Sequence, residues 1–399
     1  MSNATMPRGS AWEVLAAFLR LGVSSFGGPI AHLGYFHREF VERRRWLDDE
    51  RFGQLLALCQ FLPGPASSQL GFSIGLLRAG GWGGVAAFVG FTLPSALLMF
   101  AFAVLSAHLS GALGLAAIHG LKLVAVAVVA QGLLGMARRL TPDLPRLLLA
   151  ALAALLIAIG GNAWMQLLVV ALGAVLGPWL CRTVMARPGD RLSLRHGRRG
   201  GTALLAVFAV LLLLALVPWP GAPPWAQVAA GFYRAGALVF GGGHVVLPLL
   251  KQTVVDPGWL DGNTFLAGYG AAQAVPGPMF SLAAFLGERI GIGHSGALGA
   301  TVCLLAIFLP GLLLVSAALP FWQALAARND AARVLAGVNA AVVGLLAAAL
   351  YDPVWLSAVH RPRDAVIALS AFVLLGWARW PALAIVVWCV AASLLTVLF

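Results

Sequence analysis

Residues 18–28 read FLRLGVSSFGG, and residues 232–242 read FYRAGALVFGG. Phe18, Arg20, Gly22, Phe26, Gly27 and Gly28 of the first run correspond to Phe232, Arg234, Gly236, Phe240, Gly241 and Gly242 of the second. Working outward, Trp46-Leu47-Asp48 is matched by Trp259-Leu260-Asp261, Phe52 by Phe265 and Gln60 by Gln273. Pro63-Gly64-Pro65 is matched by Pro276-Gly277-Pro278, Ser68 by Ser281, and Leu93-Pro94 by Leu309-Pro310. Two apolar helices alike by chance would not hold Arg, Trp-Leu-Asp, Gln and Pro-Gly-Pro in one order, so the chain reads as an internal duplication.

What is duplicated is a membrane unit. Of 399 residues, 61% are hydrophobic and 10% charged, where a globular domain carries roughly 25% charged residues. A hydrocarbon core of about 30 Å takes about 20 apolar residues per helical span. Thirteen apolar segments can be drawn, none with the period-2 alternation of barrel strands, so the fold class is an all-α polytopic membrane protein. The repeats occupy 11–181 and 225–398 with six segments each, and 182–224 is a basic loop followed by a linker helix at 202–218. With an even number of crossings per repeat, the single linker helix turns the second repeat upside down, the inverted plan of secondary transporters. Met1 to Ser10 lacks the pattern of a cleavable signal.

The 26 basic and 14 acidic residues give a net charge of +12. The basic residues sit in short loops, which points to positive-inside topology and not to nucleic acid. The loops also bear on how the broken segments run. Gly and Pro interrupt the first two segments of each repeat, at Ser24 to Pro29, Pro63 to Pro65, Gly241 to Gly243 and Pro276 to Pro278. If every segment crosses, loop 37–51, with Arg38, Arg43, Arg44, Arg45 and Arg51, falls outside. Folding the broken segments back as re-entrant hairpins returns that loop to the cytoplasm with Arg78, Arg138, Arg139, Arg146 and the arginines of 182–199. Lys251, Arg289, Arg361 and Arg363 then remain outside. Nine crossings and four hairpins are therefore expected.

Backbone freed at membrane depth is tolerated inside protein or beside a water-filled cavity, and half-helix amino termini offer N–H donors to an anion. Gly27, Gly28, Gly241, Gly242 and Gly243, with the adjoining Ser25, Phe26 and Phe240, are candidates to surround such an anion. So are Pro63, Gly64, Pro65, Pro276, Gly277 and Pro278, with Gln60, Gln273, Ser68 and Ser281 as side-chain donors; interhelical packing is the plainer account of the last four. Arg20, Lys122 and Arg234 are the Lys or Arg residues placed well within apolar segments, either as anion ligands or as structural contacts. His119, Lys122, His244 and Glu288 are candidates for proton or charge coupling, and His244 also belongs with the anion group.

Gly71-Phe72-Ser73-Ile74-Gly75 matches a nucleophile-elbow pattern but lies in an apolar segment, where small-residue packing explains it better than an enzyme built on Ser73. Gly291 to Gly296 matches a dinucleotide pattern without a preceding strand. There is no phosphate-binding GxxxxGK[ST] loop. Cys59, Cys181, Cys303 and Cys389 stand singly in apolar surroundings, and no cofactor or metal is expected.

The runs FLRLGVSSFGGPIAHLG, QFLPGPASSQL, FYRAGALVFGGGHVVLPLL and QAVPGPMFSLAAFLG resemble the chromate transporter family in its long, two-domain form, and the likeness covers both repeats. The family motifs fall at Phe26-Gly27-Gly28-Pro29, Pro63-Gly64-Pro65, Phe240 to His244 and Pro276-Gly277-Pro278. The resemblance implies export of the chromate dianion across the bacterial inner membrane and chromate resistance, by a secondary transporter. Sulfate is a related or competing oxyanion; a sulfate carrier without a resistance role is the alternative. Pro29 stands where the second repeat has Gly243, so the halves need not contribute equally. A homodimer is among the assemblies the sequence admits, and lipid is the surrounding partner.

Overall fold

A computed structural model describes residues 9–108, 111–160, 163–185, 197–217, 221–240, 245–291, 295–322, 324 and 327–398. No strand occurs among them. The first repeat holds α1 (Ala11–Ser24), α2 (Gly28–His37), α3 (Asp49–Phe61), α4 (Ala66–Ser106), α5 (Ala112–Leu140), α6 (Leu144–Gly160) and α7 (Ala163–Leu180). After α8 (Gly197–Leu216) come α9 (Pro224–Ala237), α10 (Val246–Val254), α11 (Gly262–Ala272), α12 (Leu282–Ile290) and α13 (Gly296–Ala318). The chain closes with α14 (Asn329–Ala349), α15 (Pro362–Gly376) and α16 (Ala382–Leu398).

Among the described residues, five helices are long and apolar enough to cross a membrane: α4, α5, α8, α13 and the run from α14 to Ala358. The chain is a multi-pass membrane protein. Apart from α4, the helices next to the Gly and Pro breaks are shorter. The 14 residues of α1 and of α9 rise only about 21 Å, less than the hydrocarbon thickness.

Local chemistry explains the repeated motifs. Asp48 and Asp261 are helix N-caps: the first accepts from the Arg51 N–H at 2.8 Å, and the second from the N–H groups of Asn263 and Thr264 at 2.9 and 3.0 Å. Each satisfies donors that the first helical turn leaves free, a cap worth about 1 kcal/mol. Trp46 and Leu47 just before the first cap are buried, and so is Phe52 one turn into α3. Trp46 is stacked on Phe40 and lies under the Arg78 guanidinium. α4 is two helices joined at Ala79-Gly80, where Gly80 takes φ 70° and ψ −158°. Its halves fold against each other, for a Cβ on Gly75 would meet the Gly83 carbonyl and the Ala87 side chain. Gly287 of α12 meets the Gly299 carbonyl of α13 in the same manner. Gly71 packs on Phe18 and Phe36, and the Ser73 hydroxyl donates to the Gln69 carbonyl at 2.7 Å. The GxSxG string thus sits in a helix–helix contact.

The two repeats exchange their outer helices. α5 of the first packs on α15 and α16 of the second, while α14 of the second packs on α6 and α7 of the first. Ser393 on α16 donates to the Ala116 carbonyl on α5 at 2.7 Å. A Cβ on Gly120 would lie 2.7 Å from the Val390 Cα, and one on Gly337 would fall on the Gly173 carbonyl. Gly337→Val is therefore expected to separate α14 from α7 and remove most folded protein from the membrane. Immunoblotting of membranes beside fluorescence-detected size exclusion checks this, and a normal monodisperse peak would refute it.

One apolar core surrounds Phe18, Phe36, Phe40 and Phe91 and takes in Val315, Leu319 and Trp322 from the second repeat. The other gathers α5 with α9 to α16. α8 lies on α9 and α13, with the Tyr233 hydroxyl donating to the Phe208 carbonyl at 3.2 Å.

Candidate functional site

α1 stops at Ser24, and the backbone turns through Gly27 (φ 101°) and Gly28 (φ 75°) into α2. The second repeat breaks similarly after Ala237, where Leu238, Val239 and Phe240 leave the helix. Ser25 and Val239 occupy corresponding positions, and both are fully buried. Each finds its backbone partner in the opposite repeat. The Gly277 N–H donates to the Ser25 carbonyl at 2.9 Å, and the Gly64 N–H donates to the Val239 carbonyl at 2.7 Å. The Pro-Gly-Pro turn of each repeat is thus hydrogen-bonded to the broken helix of the other, by the same atoms in both directions.

Glycine is required at these two turns. Gly64 has φ 123° and Gly277 φ 96°, angles that side-chain-bearing residues seldom take. A Cβ on Gly64 would lie 3.0 Å from the Gly311 Cα, and one on Gly277 would lie 2.9 Å from the Ser95 Oγ and 3.0 Å from the Phe91 carbonyl. Pro leads into each turn because it supplies a fixed φ and needs no N–H partner. Gln69, fully buried, clamps the first crossing: its Nε2 donates to the Pro63 carbonyl at 2.9 Å and to the Gly311 carbonyl at 3.0 Å. Around the crossings the Ser25 Oγ, Ser68 Oγ, Thr92 Oγ1 and Gln69 Oε1 are buried without a protein partner. A buried polar group left unpaired costs about 1–3 kcal/mol. Three of these four atoms are hydroxyls able to donate to a guest oxygen.

Of the residues expected at an anion site, Ser25, Gly64 and Gly277 make the two crossings directly. Pro63, Pro65, Pro276 and Pro278 frame them, and Ser68 and Ser281 are buried behind the turns. Phe26 and Phe240 are half-buried at the breaks. Phe26 and Pro276 also line an open cleft of about 610 Å³ with Val23, Pro94, Phe102 and Leu121. Its walls are apolar and suit hydrocarbon, not a dianion. Gln273 is half-buried, its amide directed to the Met279 sulfur at 3.1 Å, while Gln60 is exposed. Gly241, Gly242, Gly243 and His244 lie outside the described residues.

Arg20 and Arg234 are both exposed. Val14, Ala17, Phe18 and Leu21 take the inner face of α1, so Arg20 stands on the opposite face beside Leu19 and Val23; Arg234 is likewise the outward residue between buried Tyr233 and Ala235. Of the three basic residues expected within apolar segments, Lys122 alone is buried. Its Nζ donates to the Asn263 Oδ1 at 2.9 Å. His119, one turn earlier, meets Asp364 of α15 at 3.1 Å, and the His360 ring lies 6.3 Å away. These residues join the two repeats at a second polar locus. Glu288 is half-buried at the end of α12 against Gly296.

Sequence reasoning passed over His32, Ser67, Gln69, Thr92, Asn263 and Asp364. A signal existed for two of them: His32 lies one helical turn beyond Gly28, and Gln69 one turn beyond Pro65, so each reaches back to its own break.

The sequence model of the family described as Chromate transporter matches residues 12–178 and again residues 225–395. The chain belongs to the chromate transporter family. The double match coincides with the two repeats, and both Pro-Gly-Pro turns fall inside matched regions. The chain is 30% identical to a chromate transport protein of Pseudomonas aeruginosa over 93% of its own length and 87% of that protein's. It is 28% identical to a probable chromate transport protein of Synechococcus elongatus, covering 86% and 84% of the two chains. With a chromate transport protein of Cupriavidus metallidurans it shares 27% identity over 93% and 89%. No solved structure matches the chain.

Proposed function

We propose that this chain exports chromate across the bacterial inner membrane as a secondary transporter, giving chromate resistance, and that sulfate competes for the same site. The observation that carries the reading is the reciprocal pair of crossings, Gly277 N–H to Ser25 carbonyl and Gly64 N–H to Val239 carbonyl. Two repeats held at two crossings by equivalent atoms form a natural pivot, with broken helices and unpartnered hydroxyls around it. Rocking one repeat against the other about such a point opens the site to each side in turn. A tetrahedral dianion suits a locus of backbone N–H groups, hydroxyls and helix ends, which supply positive partial charge. His119 with Asp364, Lys122 with Asn263, and Glu288 take no part in these hydrogen bonds and are assigned to coupling.

The reading requires the second repeat to be inverted. Loop 37–51, whose Glu39 binds Arg43 and Arg44 and whose Asp49 binds His37 at 2.7 Å, belongs in the cytoplasm. Loop 251–263 belongs outside. Single cysteines placed in each loop of a cysteine-free variant should react with an impermeant maleimide from opposite sides of the membrane. Labelling of both from one side would overturn the inverted arrangement.

A further inference from the structure

His32 is fully buried one turn into α2. Its Nε2 lies 3.2 Å from the Ser25 carbonyl oxygen and its Nδ1 3.4 Å from the Ser67 Oγ. A carbonyl can only accept, so Nε2 carries the proton and Nδ1 is left as acceptor for the Ser67 hydroxyl. The carbonyl that His32 binds is the one that receives the Gly277 N–H. The imidazole therefore shares an acceptor with the inter-repeat hydrogen bond, and its ring stands edge-on to Phe91, 5.1 Å between centroids. In the second repeat the corresponding residue is Val246, so this device exists at one crossing of the two.

The charges on the elements packed around α2 are engaged elsewhere or exposed. On α1, Glu13 binds Arg78 of α4 at 3.1 Å and Arg20 is exposed. At the end of α2, His37 lies between Glu42 and Asp49, and on the turn that follows, Glu39 holds Arg43 and Arg44 while Arg38 is exposed. No ion pair to a carboxylate reaches His32 among the described residues. In a buried setting of this kind an arriving dianion would be the dominant charge. An opposite charge within about 4–6 Å favours the protonated imidazole.

We propose that His32 is the proton acceptor linked to oxyanion binding: a dianion bound beside the unpartnered Ser25 hydroxyl draws one proton from water onto Nδ1. The Ser67 hydroxyl then turns from donor to acceptor, the Nε2 donation to the Ser25 carbonyl is kept, and the N–H bond formed on Nδ1 replaces an O–H bond broken in the solvent donor, whose proton the buffer restores. The inference rests on the reading of the crossings as the oxyanion site. It makes the bound species one charge less negative than the dianion, and it makes affinity rise as pH falls. For one linked proton the gain is at most about tenfold per pH unit, and it vanishes once pH exceeds the value at which the bound form loses its proton.

The test is chromate binding to the purified full-length protein by titration calorimetry at pH 6, 7 and 8, in buffers of different ionisation heat so that proton uptake is counted. His32→Gln keeps a donor toward the Ser25 carbonyl and cannot titrate; His32→Asn is the second variant, and thermal unfolding reports whether each is folded. Free chromate's own protonation is common to all three proteins and cancels in the comparison. The expected result is that the wild type takes up close to one more proton per chromate than a folded variant and shows the steeper pH dependence. Equal uptake in wild type and folded variant would overturn the role of His32 while leaving the site in place. Loss of folded protein in both variants would make His32 structural and overturn it as well. Absence of chromate binding by the wild type at every pH would overturn the site itself, and His32 with it.

Discussion

Valine in place of Gly277 is expected to abolish chromate transport, and Gly64→Val to do the same. At φ 96° and 123° a β-carbon costs about 1–2 kcal/mol before any contact is considered, and β-branching raises that figure. The contacts are also close: the new side chain at Gly277 would press on the Phe91 carbonyl and Ser95, and that at Gly64 on Gln69 and the Gly311 backbone. Relief requires the turn to withdraw, which breaks its N–H bond to the opposite repeat. Gly28 makes an informative contrast, since a Cβ there meets nothing within 4 Å although φ is 75°. Gly28→Ala should bear the backbone penalty alone and keep more activity than Gly277→Ala. Gly27→Val and Gly28→Val, by closing off backbone N–H groups from the anion, should also stop transport while protein levels stay nearly normal; so should the same change at Gly241 or Gly242. Flux normalised to folded protein is the readout. Wild-type flux in Gly277→Val would show that the turn does not matter.

Arg20→Gln and Arg234→Gln are the second pair, each expected to lower normalised chromate flux by at least tenfold. An arginine at a helix centre costs about 2.5–3.5 kcal/mol on insertion, and both repeats carry one at the same position. Both are exposed on the outer faces of α1 and α9, and the anion is expected to meet these guanidinium groups on its way through the protein. A guanidinium presents paired N–H donors to a tetrahedral oxyanion; an ammonium supplies charge without that geometry. Arg→Lys should therefore keep part of the flux, and sulfate should lose competing power in step. Loss of folded protein with unchanged flux per surviving molecule would make these arginines structural.

Much of the architecture was legible before any coordinates. Composition set the membrane class, and the paired Gly and Pro breaks marked where helices end, because Pro-Gly-Pro and Gly-Gly act on their own backbone. The Trp-Leu-Asp repeats were visible as a pattern, though their capping role needed the helix that follows them. Local sequence could not disclose that Gly64 binds Val239 and Gly277 binds Ser25, since nothing near Gly64 encodes a partner so far along the chain. The same holds for the exchange of α5 and α14 between repeats, and for Lys122, whose partner Asn263 lies on a helix of the other repeat. The outward placement of Arg20 was not legible, because both faces of α1 are apolar: Phe18 and Leu21 are buried while Leu19 and Val23 are exposed. His32 was hidden by being a single histidine in an apolar run.

Chromate flux into inside-out membrane vesicles, without ATP and with the proton gradient and external sulfate varied separately, tests the central claim most directly. Vesicles bearing the wild-type chain should accumulate chromate, lose that accumulation when the gradients are dissipated, and lose it competitively as sulfate rises, while Gly277→Val vesicles with equal folded protein stay at the level of empty membranes. Chromate entry no faster than in empty membranes, or equal entry in wild type and Gly277→Val, would contradict the account.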